Sequence, residues 1–203
     1  AQLVRANRAL DDVCRAYRLP CISGKDSMKN DAMMGGEKIS VPPTLLFSLL
    51  GNHKDVRKAV SSDFKKPGDA IFIVGETHQE LGASELAFML RDEGSGGIGG
   101  DVPDIEPERN MKVYRALASS MKNGLVSSAH DCSDGGLAVA LAECCFGADS
   151  GASIDISPLQ SDCSGLDDWG ALFGESLGRI LVSVRPSEKE AFEKSMEGVC
   201  CHY

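Results

Sequence analysis

No uninterrupted apolar run in this 203-residue sequence approaches the roughly 20 residues needed to span a bilayer, and its first residues contain no signal-peptide hydrophobic stretch. A membrane-spanning helix and secretion are therefore not expected, and the cytoplasm is the expected location. Basic residues are in short supply: 21 Lys and Arg stand against 30 Asp and Glu, a net charge of −9. Non-specific nucleic-acid binding needs a basic surface, so that class of partner is excluded too. The eight cysteines include no C-x-x-C pair and no histidine at zinc-ligand spacing. They read as reduced structural thiols, and Cys144 and Cys145 fall inside an apolar helical pattern as small hydrophobes. Internal repeats are absent as well. What remains is 42% apolar and 25% charged residues, the ordinary balance of a globular protein with one large domain or two small ones.

Periodicity predicts a helix over 2–18, with Leu3, Leu10, Val13, Ala16 and Tyr17 on a broad face, stopped by Pro20. A short extended Cys21-Ile22 leads to Ser23-Gly24-Lys25-Asp26-Ser27, and 28–38 reads as a loop. Residues 43–50 read as a buried strand. After the hydrophilic turn 65–69, strands are expected at 70–74, 152–156 and 179–184. Helices are expected at 81–90, 107–122, through 146 after Gly136, 172–177 and 187–196. Pro107 suits a first helical turn. The alternation predicts an α/β fold; a parallel sheet and an α+β arrangement with helices on one face fit equally.

The densest chemistry lies in His130-Asp131-Cys132-Ser133-Asp134-Gly135-Gly136, directly before the apolar run 137–142. A helix N-terminus presents unpaired N–H groups and a positive dipole end, which attract anions. Adjacent glycines admit close approach of a ligand to the backbone. Carboxylates beside a phosphate require a divalent cation between them, so a magnesium-nucleotide site is the economical reading. A plain helix cap followed by a glycine kink accounts for the same residues equally well. Gly24-Lys25-Asp26-Ser27 is a second, weaker candidate. Its glycine, cation and oxygen donors suit a phosphate loop, while a solvated turn favours the same composition.

Two other matches fail on context. Gly94–Gly99 fits G-x-G-x-x-G but follows a helix and leads into Asp101-Val102-Pro103, so it is a linker and no dinucleotide fingerprint. Asp131 opens an EF-hand-like run with Gly136 in sixth place, but Gly135 and Ala142 stand where oxygen ligands are required.

Five ordered motifs, Ser23–Lys29, Pro42-Pro43-Thr44, Leu81–Glu85, His130–Leu137 and Phe173–Arg179, resemble phosphoribosylformylglycinamidine synthase and, more distantly, aminoimidazole ribonucleotide synthetase. The resemblance implies an aminoimidazole-ribonucleotide-synthetase-like fold, with residues 1–66 closing an N-terminal domain and 67–203 forming most of an α/β C-terminal domain. It implies a place in purine biosynthesis: ATP phosphorylates the formylglycinamide amide oxygen and glutamine-derived ammonia displaces the phosphate. The implied cofactors are ATP and Mg2+. The implied partners are a ribonucleotide substrate and the remaining domains, including a glutaminase domain or subunit. Ala1 begins in mid-helix and Tyr203 ends where the family continues, so an excised piece of the second synthetase module is expected.

Carried over by motif, Gly24, Ser133, Gly135 and Gly136 would contact nucleotide, Lys25 and Ser27 the ribonucleotide substrate, and Asp131 magnesium, with Asp131 and Ser133 matching the second, auxiliary nucleotide site of the family's long members. Lys25 stands where smaller family members carry a magnesium-binding asparagine, a role a lysine cannot perform. The family's catalytic histidine, upstream magnesium carboxylates and glutaminase cysteine have no counterpart here, so no residue of this chain is expected to be catalytic. The open alternatives are another ATP-using synthetase or kinase of the superfamily, or a module holding a structural nucleotide.

Overall fold

A computed structural model describes residues 2–25, 30–41, 44–91, 100–148 and 150–203. They divide into two compact units, Ala1–Val56 and Arg57–Tyr203. Among the described residues no helix is long and apolar enough to cross a membrane.

The first unit opens with helix α1 (Gln2–Tyr17), which carries an Asp11–Arg15 ion pair of 2.8 Å one turn apart. It closes in a Schellman motif: Arg18 N–H donates to the Arg15 carbonyl at 3.2 Å, and Leu19 N–H to the Cys14 carbonyl at 2.9 Å. This places Arg18 in the left-handed region (φ 55°) and turns the chain back toward the helix, where Pro20 prevents its continuation. The stretch expected as a loop instead contains a hairpin, β1 (Ala32–Met34) against β2 (Glu37–Ile39), with Met33 opposite Lys38. Gly35 and Gly36 both have positive φ (61° and 88°), as a two-residue hairpin turn of this hand requires. Of the strand expected over 43–50, the described residues 44–50 form none. Thr44–Leu50 joins no ladder, and Leu46 and Leu50 are 91% and 92% exposed. An apolar run becomes a buried strand only when a neighbour pairs with it, and β1 and β2 pair with each other.

The second unit is built on a four-stranded sheet of order β4-β5-β3-β6: β3 (Ala70–Val74), β4 (Ser128–Asp131), β5 (Ile180–Val184) and β6 (Cys201–His202). Every pairing is antiparallel, with Phe72 opposite Val182, Ala129 opposite Val182, and Val74 opposite Cys201. That settles the open choice of topology against a parallel sheet. The runs Ala-Ile-Phe-Ile-Val and Ile-Leu-Val-Ser-Val are apolar on both faces because both faces are covered. On one side Ala70, Phe72, Val74, Val182 and Val184 pack with Val113 and Leu117 of α3 (Pro107–Lys122) and with Phe192 of α7 (Lys189–Ser195). On the other, Ile73 and Leu181 pack with Leu137, Leu141 and Cys144 of α4 (Gly136–Phe146), with Leu159 of α5 (Ser157–Asp162) and with Ala171 of α6 (Asp168–Phe173). Fully burying side chains of this size stabilises by about 1.5–3 kcal/mol each.

Two helix starts and one expected strand differ from expectation for local reasons. Helix α2 (Glu85–Met89) starts four residues late because Ser84 caps it, its Oγ accepting from Ala87 N–H at 3.1 Å. Helix α6 starts four residues early because Asp167 caps it, accepting from Gly170 N–H at 2.8 Å. The alternation at 152–156 produces no strand; this segment lines a cavity of about 440 Å³ floored by Phe64, Ile73, Leu141 and Leu181. The run Gly94–Gly99 lies outside the described residues.

Candidate nucleotide site at the β4–α4 junction

Strand β4 lies at the sheet edge and ends with Asp131 opposite Ile180. Pairing persists one step further, since Cys132 N–H donates to the Arg179 carbonyl at 3.1 Å. The chain then leaves the sheet through Ser133 and Asp134, both exposed, and re-enters the fold at Gly135. Gly135 is the residue that caps α4, with φ 80°, so neither Asp131 nor Ser133 occupies the cap position. The plain-cap account of this motif therefore does not describe the structure. Gly136 also has positive φ (67°), and a Cβ there would sit 2.5 Å from the Gly174 carbonyl oxygen. Both glycines are required by the entry into α4, whatever else approaches them.

What holds this entry is Glu175. Its Oε1 accepts from Gly135 N–H and from Glu85 N–H, each at 2.8 Å. One carboxylate oxygen thus pins the starts of α4 and α2, a favourable placement of negative charge at helix N-termini. Behind it lies Arg179, 1% exposed, which donates to the Ser176 carbonyl, Thr77 Oγ1 and the Gly174 carbonyl. Burial pulls its pKa down, opposed by Cys132, Glu80 and Glu175. Glu80 accepts only a long 3.4 Å bond at Oε1 from Asp104 N–H, and its Oε2 is buried with no hydrogen-bond partner among the described residues. The same burial pushes the Cys132 thiol up to about 11, which keeps it protonated at neutral pH.

The junction's outer face is acidic. The His130 ring lies between two carboxylates, Nδ1 3.3 Å from Asp131 Oδ1 and Nε2 2.7 Å from Glu143 Oε2. The Asp131 side chain is 73% exposed. Among the described residues no three His, Cys, Asp or Glu side chains are gathered to hold a metal. The exposed Asp131 carboxylate, beside the His130 ring, suits Mg2+ as one ligand among waters and phosphate oxygens, the usual way that ion is held.

The structure thus brings Asp131, Ser133, Gly135 and Gly136 to one turn. Gly24 and Lys25 are exposed in the first unit, and a Cβ at Gly24 would meet nothing within 4 Å. Ser27 lies outside the described residues. Sequence reasoning assigned no role to Glu175 or Arg179. The available signal was a glycine directly before each charge, Gly174-Glu175 and Gly178-Arg179, ahead of a mostly apolar strand.

The sequence matches the family model of the AIR synthase related protein, C-terminal domain, over residues 66–202. The chain belongs to this family. Its fold is that of AIR-synthase-related domains, as likeness to solved structures also shows. Thermotoga maritima PurL complexed with FGAR is 21% identical with a TM-score of 0.60, over 72% of this chain and 25% of that one. The same organism's PurL complexed with AMPPCP is 23% identical at a TM-score of 0.52, over 70% and 21%. PurLQS from Thermotoga maritima is 21% identical at 0.52, over 72% and 24%. This AIR-synthase-related chain thus spans about a quarter of the length of the PurL chains it matches.

Proposed function

We propose that this chain is part of an ATP-dependent ligase of purine biosynthesis that converts formylglycinamide ribonucleotide, ATP and glutamine-derived ammonia to formylglycinamidine ribonucleotide. In this reading residues 1–66 end one synthetase-like domain and residues 67–203 belong to the next. The observation that carries it is the β4–α4 junction. An exposed carboxylate and an exposed hydroxyl stand one residue apart, at a helix entry whose cap is a glycine, in a domain of the AIR-synthase-related family. Thermotoga maritima PurL, complexed in separate structures with FGAR and with AMPPCP, supplies the substrate class by analogy.

Bound ATP supplies the phosphoryl group that activates the substrate amide oxygen. Asp131 would contribute one oxygen to Mg2+, and Ser133 a hydroxyl to the nucleotide. Gly135 N–H is committed to Glu175. Gly135 and Gly136 therefore serve the nucleotide by shaping the turn. By the family resemblance, Gly24 would offer backbone to a nucleotide, and Lys25 and Ser27 would meet the ribonucleotide. The remaining domains, with a glutaminase domain or subunit among them, would deliver ammonia in the cytoplasm.

The test is made on the full-length protein containing this chain, with ribonucleotide substrate, ATP, Mg2+ and either glutamine or ammonium. Amidine formation dependent on all of them is expected. ATP turnover without amidine would assign another phosphoryl acceptor. Nucleotide retained through purification without turnover would assign a structural site, and either result overturns the proposal.

A further inference from the structure

We propose that Cys14 and Cys21 form a reversible dithiol–disulfide pair, a thiol-exchange site for a small disulfide of the glutathione class. The two sulfurs lie 3.6 Å apart although the residues are seven positions apart in sequence. The Schellman closure produces this proximity: with Arg18 left-handed and Leu19 N–H bonded back to the Cys14 carbonyl, the chain reverses and Cys21 returns beside the last turn of α1. Closing to a bonded 2.05 Å takes roughly 1.5 Å of relative movement, within reach of side-chain rotation.

Access and charge also favour exchange. Cys21 is exposed and Cys14 half-buried. Both line an open groove of about 480 Å³ together with Arg18 and the Asp11–Arg15 ion pair. The Arg18 guanidinium at this groove attracts the carboxylates of glutathione. Cys21 is the more accessible sulfur, which makes it the first nucleophile and Cys14, whose pKa the hydrogen bond to Cys21 raises, the resolving thiol. Cys132, Cys144 and Cys201 differ, since burial pushes their thiols up to about 11, 12 and 12.

The exchange balances in two steps. The Cys21 thiolate attacks one sulfur of oxidised glutathione, forming a mixed disulfide and releasing one glutathione. Cys14 then gives up its proton and attacks Cys21 Sγ. The Cys14–Cys21 bond forms, the mixed disulfide breaks, and a second glutathione leaves. Two protein thiols are oxidised and one glutathione disulfide is reduced to two thiols. The product ties α1 to the segment entering Gly24-Lys25.

The site is tested on the full-length protein equilibrated in glutathione buffers from reducing to oxidising, then alkylated and digested with trypsin without reduction. Cleavage at Arg8, Arg15, Arg18 and Lys25 puts the thiols on separate peptides, Ala9–Arg15 and Leu19–Lys25. Oxidising buffers should join these two peptides, with loss of alkylation at both, and a reductant should separate them. Cys14→Ser should abolish the joined product and leave Cys21 carrying glutathione. Separate alkylation of both peptides in wild type at every ratio would overturn the proposal, and so would an independent glutathione adduct on each.

Discussion

Single residues decide the entry into α4, and Glu175 most of all. Its carboxylate ties Gly135 to Glu85, positions 40 and 90 residues away in the chain, so no local pattern could announce it. Asp131 and Ser133 were legible because their chemistry is packed into one motif. Replacing Glu175 with Ala strands two backbone N–H groups that now bond a charged acceptor. The expected loss is about 2–4 kcal/mol in urea unfolding, and Glu175→Gln, which keeps an acceptor oxygen, should recover much of it. Asp131 makes the opposite forecast. It is largely exposed, so Asp131→Asn should shift unfolding by less than about 0.5 kcal/mol. In the full-length protein the same change should shrink the rise in melting temperature produced by magnesium-nucleotide. An undiminished rise would remove Asp131 from the proposed site.

Whole elements were legible where pattern and punctuation agreed. Strand β3 and helix α3 fall where expected, the latter opened by Pro107. The hairpin at 32–39 was missed although Gly35-Gly36 supplies its turn, because its strands are exposed on both faces and carry no alternation. The two phantom strands failed for want of partners, which periodicity does not reveal. Helix α6 began early because a capping side chain outweighed the apolar pattern. That cap has a pH signature: the Gly170 N–H bond, helped by the Gln79 amide, holds the Asp167 pKa below the usual carboxylate range. A depressed folded pKa means stabilisation present above the unfolded value, about 3.9, and lost as pH falls through the folded one. The melting-temperature gap between wild type and Asp167→Asn should therefore be constant near neutrality and close in acid. A gap that widens with acid would contradict this cap.

At the scale of the molecule the two units contrast. Among the described residues the first has none buried, whereas the second has two cores on either side of one sheet. Apolar surface exposed in one stretch attracts apolar probes. Residues 1–203 prepared alone should therefore enhance the fluorescence of an anilinonaphthalene dye. Replacing Leu46 and Leu50 by Ser should lower that signal while the main unfolding midpoint stays put. An unchanged signal would place the dye elsewhere. The sheet of the second unit has a consequence for synthesis. Each of its pairings enlists β5 or β6, so Phe72 and Val74 leave the ribosome more than a hundred residues before any strand they bond. At about 5–20 residues per second, those side chains wait several seconds for their partners. During that interval nascent β3 has no strand to pair with, and a chaperone that shields it has its longest opportunity between the synthesis of Val74 and that of Ile180.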